Sequence, residues 1–440
     1  MLIFRLRSRV LGELRKFLND ALYRGSAVLL INQGAAALLG FVFWTLAAHQ
    51  YSATTVGVFS SVLAGTGLLA AIAALGWQNT MTRHIANAEK SRELVAMVTA
   101  AIATVGALVC LLTVLILGPH LPASLGLRHR GGMVVLVTVL VVFTAISGIV
   151  GAGLVAMRAS LAVLVTDVLG SAVQIGALIA LASLRSWGLL MAYGVGLALA
   201  TLLACGWLIR TAHGPWPRWH SFGVLRGYLS VASGNYLATI LGILPSSIVP
   251  LEAFIIRSPA DAGRLVIAAK VSGFLDVIPS TVAGVYFAEA SRRGASRRKL
   301  LRQSLRGVYA LLIPAVIVVV AAAPYLLDLF GSSYSRAGTG CLRVLAASAL
   351  LTGGTYLVDS VLIASDRIMA YVFINGVNAA LVLTLVALLL PHGLTAAATG
   401  WALAQALSLA TGLILLAAGR SGRHRHGRAQ PEPRVPSTTP

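Results

Sequence analysis

The chain has 440 residues, 58% of them hydrophobic and 11% charged, with mean hydropathy +0.87 and a formal net charge of +21. A water-soluble fold could not bury that much apolar surface, so composition selects a polytopic helical membrane protein and excludes a soluble catalytic domain. The positive charge does not imply nucleic acid as a partner, because its distribution along the chain has a membrane explanation.

Residues 1–25 read as a basic amphipathic segment on the cytoplasmic side. Leu6, Val10, Leu14, Phe17 and Leu22 fall close to one helical face, with Arg5, Arg9, Arg15 and Lys16 largely elsewhere. That is the pattern of an interfacial helix on an anionic leaflet, and it is too basic for a secretory signal peptide. A helix needs about 20 apolar residues to cross a bilayer. Such runs are predicted near 26–48, 56–77, 94–117, 132–157, 159–182 and 187–209, giving a first lobe over 26–209. A linker at 210–227 carries Pro215, Trp216, Pro217 and Trp219. Six further runs, near 228–251, 262–288, 308–330, 340–364, 368–390 and 394–418, make a second lobe over 228–418. The remainder, 419–440, turns to Arg, His, Pro, Ser and Thr and is expected to be a disordered cytoplasmic tail. The expected fold class is therefore an all-α polytopic membrane protein, with about twelve transmembrane helices divided six and six. Because six is even, both lobes start on the same side, so any internal repeat is parallel. At an offset of 206 residues Gly57 aligns with Gly263 and Gly67 with Gly273, weak support for a repeat in a chain with 44 glycines.

Basic residues fall on alternate connections. Arg128, Arg130, Arg185, Arg257, Arg264 and Arg336 lie on one side, and Lys270 and Arg343 lie inside spans. All the other Lys and Arg residues, including the cluster from Arg292 to Arg306, lie on the opposite side. The positive-inside bias places that richer side, and both termini, in the cytoplasm. The Arg292–Arg306 cluster reads first as a topology signal, with a cytoplasmic partner or a lipid diphosphate as the alternative. Cys110, Cys205 and Cys341 sit in apolar runs with no disulfide or metal spacing, and the histidines make no metal site. No GxxxxGK[ST] loop is present, and no cofactor is expected. The longest outer connection, near 118–131, leaves little room for the catalytic loop of a membrane-embedded glycan polymerase or ligase.

Ionisable groups at membrane depth cost about 2.5–3.5 kcal/mol even on lenient scales, so each asks for a role. Lys270 and Asp276 share the eighth span, six residues apart, roughly 240° around a helix, so they do not pair on one face. Lys270 is the one lysine in any span. As a point charge it suits a phosphate or diphosphate in a cavity; the alternative is a buried pair with Asp167 or Asp359. Asn32 and Gln33 in the first span and Asn235 in the seventh are further candidate substrate contacts, with hydrogen bonding between helices as their other reading. Asn375 and Asn378 fit the latter. Pro245, Pro250, Pro279 and Pro314 interrupt apolar runs and could kink or hinge them.

Several stretches carry a family resemblance. They are SAVLLINQGAAALLGFVFWTLAAHQYSATTVGVFSSVL (26–63), VIPSTVAGVYFAEASR (277–292), GSSYSRAGTGCLRVLAAS (331–348) and HGLTAAATGWALAQAL (392–407). In order and spacing they resemble the polysaccharide flippase branch of the multidrug/oligosaccharidyl-lipid/polysaccharide exporter superfamily, over nearly the whole chain. The chain departs from its relatives at Ala288, where proline is common, and at His49, where arginine is frequent. Its seventh span ends Ile248-Val249-Pro250-Leu251-Glu252 instead of carrying the more usual acidic–basic pair. The cationic residues that the lipid II flippase branch carries in its first two spans have no counterpart before Arg83, and the acidic residue frequent in the first span of drug exporters is missing.

The resemblance implies two six-helix lobes around a central cavity in a bacterial plasma membrane, and a transporter, not an enzyme, working by alternating access. Its implied cargo is a polyprenyl-diphosphate-linked oligosaccharide, flipped from the cytoplasmic to the outer leaflet for cell-surface polysaccharide. Membrane lipids and polysaccharide-assembly proteins are its expected partners. A small-molecule exporter of the same fold is the alternative, and a glycan polymerase or ligase the second.

Overall fold

The computed structural model describes residues 21–85, 91–117, 131–214, 236–290 and 296–426. Within these the chain is helical, without strands. The first lobe is α1 (Ala21–Gln50), α2 (Ala53–Ala74), the short α3 (Trp77–His84), α4 (Ser91–Leu117), α5 (Gly131–Ala156), α6 (Ser160–Ala180) and α7 (Arg185–Thr211). The second is α8 (Tyr236–Ile256), α9 (Pro259–Ala290), α10 (Arg297–Asp328), α11 (Ser332–Ala364), α12 (Ile368–Leu389) and α13 (Leu394–His426). All but α3 are long and apolar enough to cross a membrane, twelve spans among the described residues. The expected basic segment at 1–20, most of the linker and the last residues of the tail lie outside the described residues. Helix α13 continues to His426, past the end of its apolar run at Ala418.

Local chemistry sets several helix ends. Ser52 Oγ accepts the Thr55 backbone N–H at 3.2 Å, satisfying a donor in the first turn of α2. Leu75 and Gly76, both in the left-handed region, end α2 and start α3. The prolines do not break their helices: α8 runs through Pro245 and Pro250, α9 through Pro279, and α10 through Pro314 and Pro324.

How the lobes meet is read from the cores. At the end of the molecule where α1 joins α2 and α8 joins α9, one apolar core spans both lobes. It runs from Phe43, Trp44 and Phe59 to Phe254, Leu265, Phe330 and Leu390. At the opposite end the cores separate. Met81, Ile102, Ile149 and Leu208 pack within the first lobe; Leu275, Leu312 and Leu357 pack within the second. The lobes are thus joined at a closed end and pack independently at an open end, to which the start of α1, the end of α7, the start of α8 and the end of α13 belong.

Glycines make the closed end possible. A Cβ on Gly57 in α2 would strike the carbonyl of Pro259, and a Cβ on Gly263 in α9 would stand 2.7 Å from the carbonyl of Ala53. The two contacts exchange equivalent residues, 53 with 259 and 57 with 263. Such reciprocity is the mark of two like surfaces meeting about a two-fold axis, so the six-plus-six repeat is physically present where α2 crosses α9. The symmetry fails beside it. Helix α2 packs along α8, with Ser61 Oγ donating to Pro250 O at 3.3 Å and the Tyr236 hydroxyl donating to Ile72 O at 2.8 Å. The equivalent seam, α1 against α9, lacks that extended packing and is bridged by aromatic contacts such as Phe41 with Phe274, centroids 6.2 Å apart.

Charges brace the closed end. Asp261, in the first turn of α9, accepts from Arg257 Nε at 3.1 Å and Arg264 Nη1 at 3.0 Å, while Arg257 Nη1 reaches Pro391 O at 3.1 Å. Asp261→Ala would strand two guanidiniums, one of them with a buried Nε already lacking a partner. A loss of about 2 kcal/mol is expected, the scale of hydrogen bonds to charged groups, measured as a lower midpoint of thermal unfolding in detergent.

Candidate functional site

Helix α9 carries the chemistry. Its residues Ala269, Lys270 and Gly273 separate two cavities and line both. The first, about 260 Å³, lies inside the second lobe, with Ser246 of α8, Asp276 of α9, Ser348 and Thr352 of α11, and Trp401 of α13 on its walls. The second, about 410 Å³, lies in the loose seam between lobes, walled by Ala37, Gly40 and Trp44 of α1, Phe274 of α9 and Phe330. The small Ala269 and Gly273 leave room beside Lys270 for the two spaces to approach each other.

Lys270 makes no ion pair among the described residues. The salt bridges among the described residues are those of Asp261, so Lys270 pairs with neither Asp167 nor Asp359, the buried partners considered from the sequence. Its Nζ instead stands 5.9 Å from the centroid of the Trp44 ring, across the seam. A cation over an indole face gains about 0.5–2 kcal/mol and leaves the ammonium's three N–H donors for a ligand. Asp276 also lines the first cavity and has no hydrogen-bond partner among the described residues. Helical spacing correctly denies the two a direct pair; the cavity curves around α9 far enough for both to face it.

Three of the cavity hydroxyls are spent as donors, while that of Ser272, on the same wall, has no hydrogen-bond partner among the described residues. Ser246 Oγ donates to Ile243 O at 2.9 Å, Ser348 Oγ to Leu345 O at 2.7 Å and Thr352 Oγ1 to Ser348 O at 3.2 Å. Each leaves lone pairs that can accept from a ligand. The site therefore presents one uncompensated cation, one uncompensated carboxylate, hydroxyl acceptors and the ring of Trp401. An anionic group can settle on Lys270 while hydroxyls on the same ligand donate to Asp276.

The other candidates fall elsewhere. Asn32 Nδ2 in α1 donates to Asp167 Oδ2 in α6 at 2.9 Å, a bond between helices within the first lobe. Gln33 is exposed and lines neither cavity, and Asn235 lies outside the described residues. Asn378 accepts from Ser408 Oγ at 3.1 Å across α12 and α13, as interhelical glue. Asn375 Nδ2 donates to Tyr371 O at 3.0 Å within α12, and its side chain faces Asp359. Sequence reading missed Trp44 and Trp401. An aromatic residue in an apolar run has no periodic signal that separates a cavity wall from core packing.

No protein-family model and no curated protein matches the chain by sequence. Solved structures do match in three dimensions. An inward-facing multidrug resistance MATE family transporter of the MOP superfamily aligns with TM-score 0.64 and 17% identity, over 90% of this chain and 96% of its own. The lipid II flippase MurJ, in an inward closed conformation, aligns with TM-score 0.67 and 11% identity, over 88% and 86%. A MOP superfamily transporter from Pyrococcus furiosus, described as having a binding pocket of reverse polarity, aligns with TM-score 0.62 and 16% identity, over 92% and 95%. The chain has the MOP superfamily fold. A drug-exporter family and a lipid flippase share that fold, so the architecture alone does not assign an activity to this chain.

Proposed function

We propose that this protein is a flippase. It carries a polyprenyl-diphosphate-linked oligosaccharide from the cytoplasmic to the outer leaflet of a bacterial plasma membrane, by alternating access, during cell-surface polysaccharide biosynthesis. The observation that carries the reading is Lys270, a cation without a carboxylate partner among the described residues, lining both the inter-lobe cavity and the cavity of the second lobe. A diphosphate is the kind of group an ammonium holds as a point charge. Sugar hydroxyls find acceptors in Asp276, Ser348 and Thr352, and Trp401 offers an apolar face. The loose α1–α9 seam lets a polyprenyl tail stay in the bilayer while its headgroup is inside. In this reading Asn32 supports the first lobe through Asp167, and polysaccharide-assembly proteins on the outer side consume the product.

A second reading, export of an organic cation, is favoured by Asp276, whose carboxylate has no partner among the described residues. Lys270, on the same cavity, repels such a cargo. The deciding experiment is reconstitution of the purified protein in vesicles with a fluorescent undecaprenyl-diphosphate disaccharide in both leaflets. Full quenching by a membrane-impermeant reductant is expected, against about half in empty vesicles. Half quenching with the protein present, together with protein-dependent efflux of an organic cation such as ethidium, would replace the flippase by the exporter.

A further inference from the structure

Arg343 lies five residues from Ser348, the middle residue of α11, or roughly 7 Å along the helix, inside a hydrocarbon half-thickness of about 15 Å. It is exposed. It does not face the cavities: Leu345, Ser348 and Thr352 line the first cavity from the other side of α11. A guanidinium on the membrane side of a helix demands partners. One is built in. Pro324 has no N–H, so the carbonyl of Val320, four residues earlier in α10, loses its helical donor, and Arg343 Nε supplies it at 3.2 Å. The two Nη groups, four N–H donors in all, have no carboxylate among the described residues.

Arg336 lies seven residues earlier, two turns toward the closed end on the same face. It is also exposed and donates only to Ser332 of its own helix, at 3.3 Å to O and 3.3 Å to Oγ. Helical side chains lean toward the N-terminus, so Arg343 reaches toward Arg336 and the interface. On α10, Ile313 and Ile317 continue the stripe of Val320 and Pro324 toward the open end, 45% and 62% exposed. Two unpaired cations thus stand above an apolar track on the membrane face of the second lobe.

We propose that the α10–α11 face at the closed end binds an anionic phospholipid. Its phosphate lies between Arg343 and Arg336 and its acyl chain runs along Ile317 and Ile313. The site is independent of the transport cavity and of the cargo assigned to it.

The test is photolabelling of the full-length protein in vesicles containing a trace of phosphatidylglycerol with a diazirine on one acyl chain, followed by peptide mapping. Wild type is expected to be labelled on the peptides around Ile313–Ile317. Labelling there should fall about fivefold for each cation removed, the scale of one basic residue at an anionic lipid surface, in Arg343→Gln and Arg336→Gln. Glutamine keeps an N–H for the Val320 carbonyl, and Arg336→Gln, near the helix end, serves where the deeper variant folds poorly. Equal labelling in Arg336→Gln and wild type, or equal labelling by a diazirine diacylglycerol without phosphate, overturns the site and leaves Arg343 as a cap for Val320.

Discussion

Under the flippase function proposed above, Gly57→Val and Gly263→Val are each expected to abolish transport while the protein still inserts and folds. Helix propensity argues the other way, since replacing glycine inside a helix gains up to ~1 kcal/mol for alanine. Packing outweighs it. The obstacles to a new Cβ are backbone atoms, the Pro259 carbonyl on one side and the Ala53 carbonyl and Gly57 N on the other, at 2.7 and 2.9 Å for Gly263. Backbone cannot rotate away as a side chain can, so α2 and α9 must part. Overpacking costs about 1–3 kcal/mol where neighbours can shift, and the penalty falls on the state in which these helices cross. A shift of about 2 kcal/mol changes a two-state population roughly thirtyfold, enough to empty the closed state. Gly57→Ala is expected to show a milder form of the same defect. Hydrogen exchange at the first turns of α2 and α9 reads the separation directly. Unchanged exchange and wild-type transport in a stably folded Gly57→Val would show that the lobes do not need this crossing.

Lys270→Ala is the second large effect, a loss of transport, with Lys270→Arg keeping part of it. Removing a charged hydrogen-bond donor from a ligand costs about 1.5–3 kcal/mol, or roughly 10- to 150-fold in affinity. Arginine restores the charge but not the compact ammonium, and its larger head must share the seam with Trp44. Trp44→Ala should cost less, about 0.5–2 kcal/mol for the cation–π contact. Transport of the fluorescent lipid-linked disaccharide in vesicles measures all three. Normal activity in both Lys270 variants at wild-type abundance would make Lys270 a structural residue. A gain in organic-cation export by Lys270→Ala would reassign the cavity to Asp276.

The number of spans, their approximate limits and the six-plus-six division were legible in the chain because a membrane helix satisfies its own backbone and faces lipid over about 20 residues. That requirement is local and leaves a run of apolar residues behind. The depth of Lys270 and Asp276, and their failure to pair, followed from helical rise and turn alone. Helix–helix contact leaves no such trace. Gly57 and Gly263 are a weak match among many glycines in the sequence and a close crossing of α2 and α9 in the fold, and Asn32, legible as either a substrate contact or a bond between helices, has Asp167 of α6 as its partner. Arg343 was visible as a charge at membrane depth, yet its partner is a carbonyl released by a proline in another helix. Composition and hydropathy settle what each segment must do with respect to lipid, one segment at a time. Which lobe faces touch, which seam stays loose and which ammonium stands unpaired between two cavities are decided by packing between segments far apart in the chain, where a single Cβ or carbonyl sets the distance of approach.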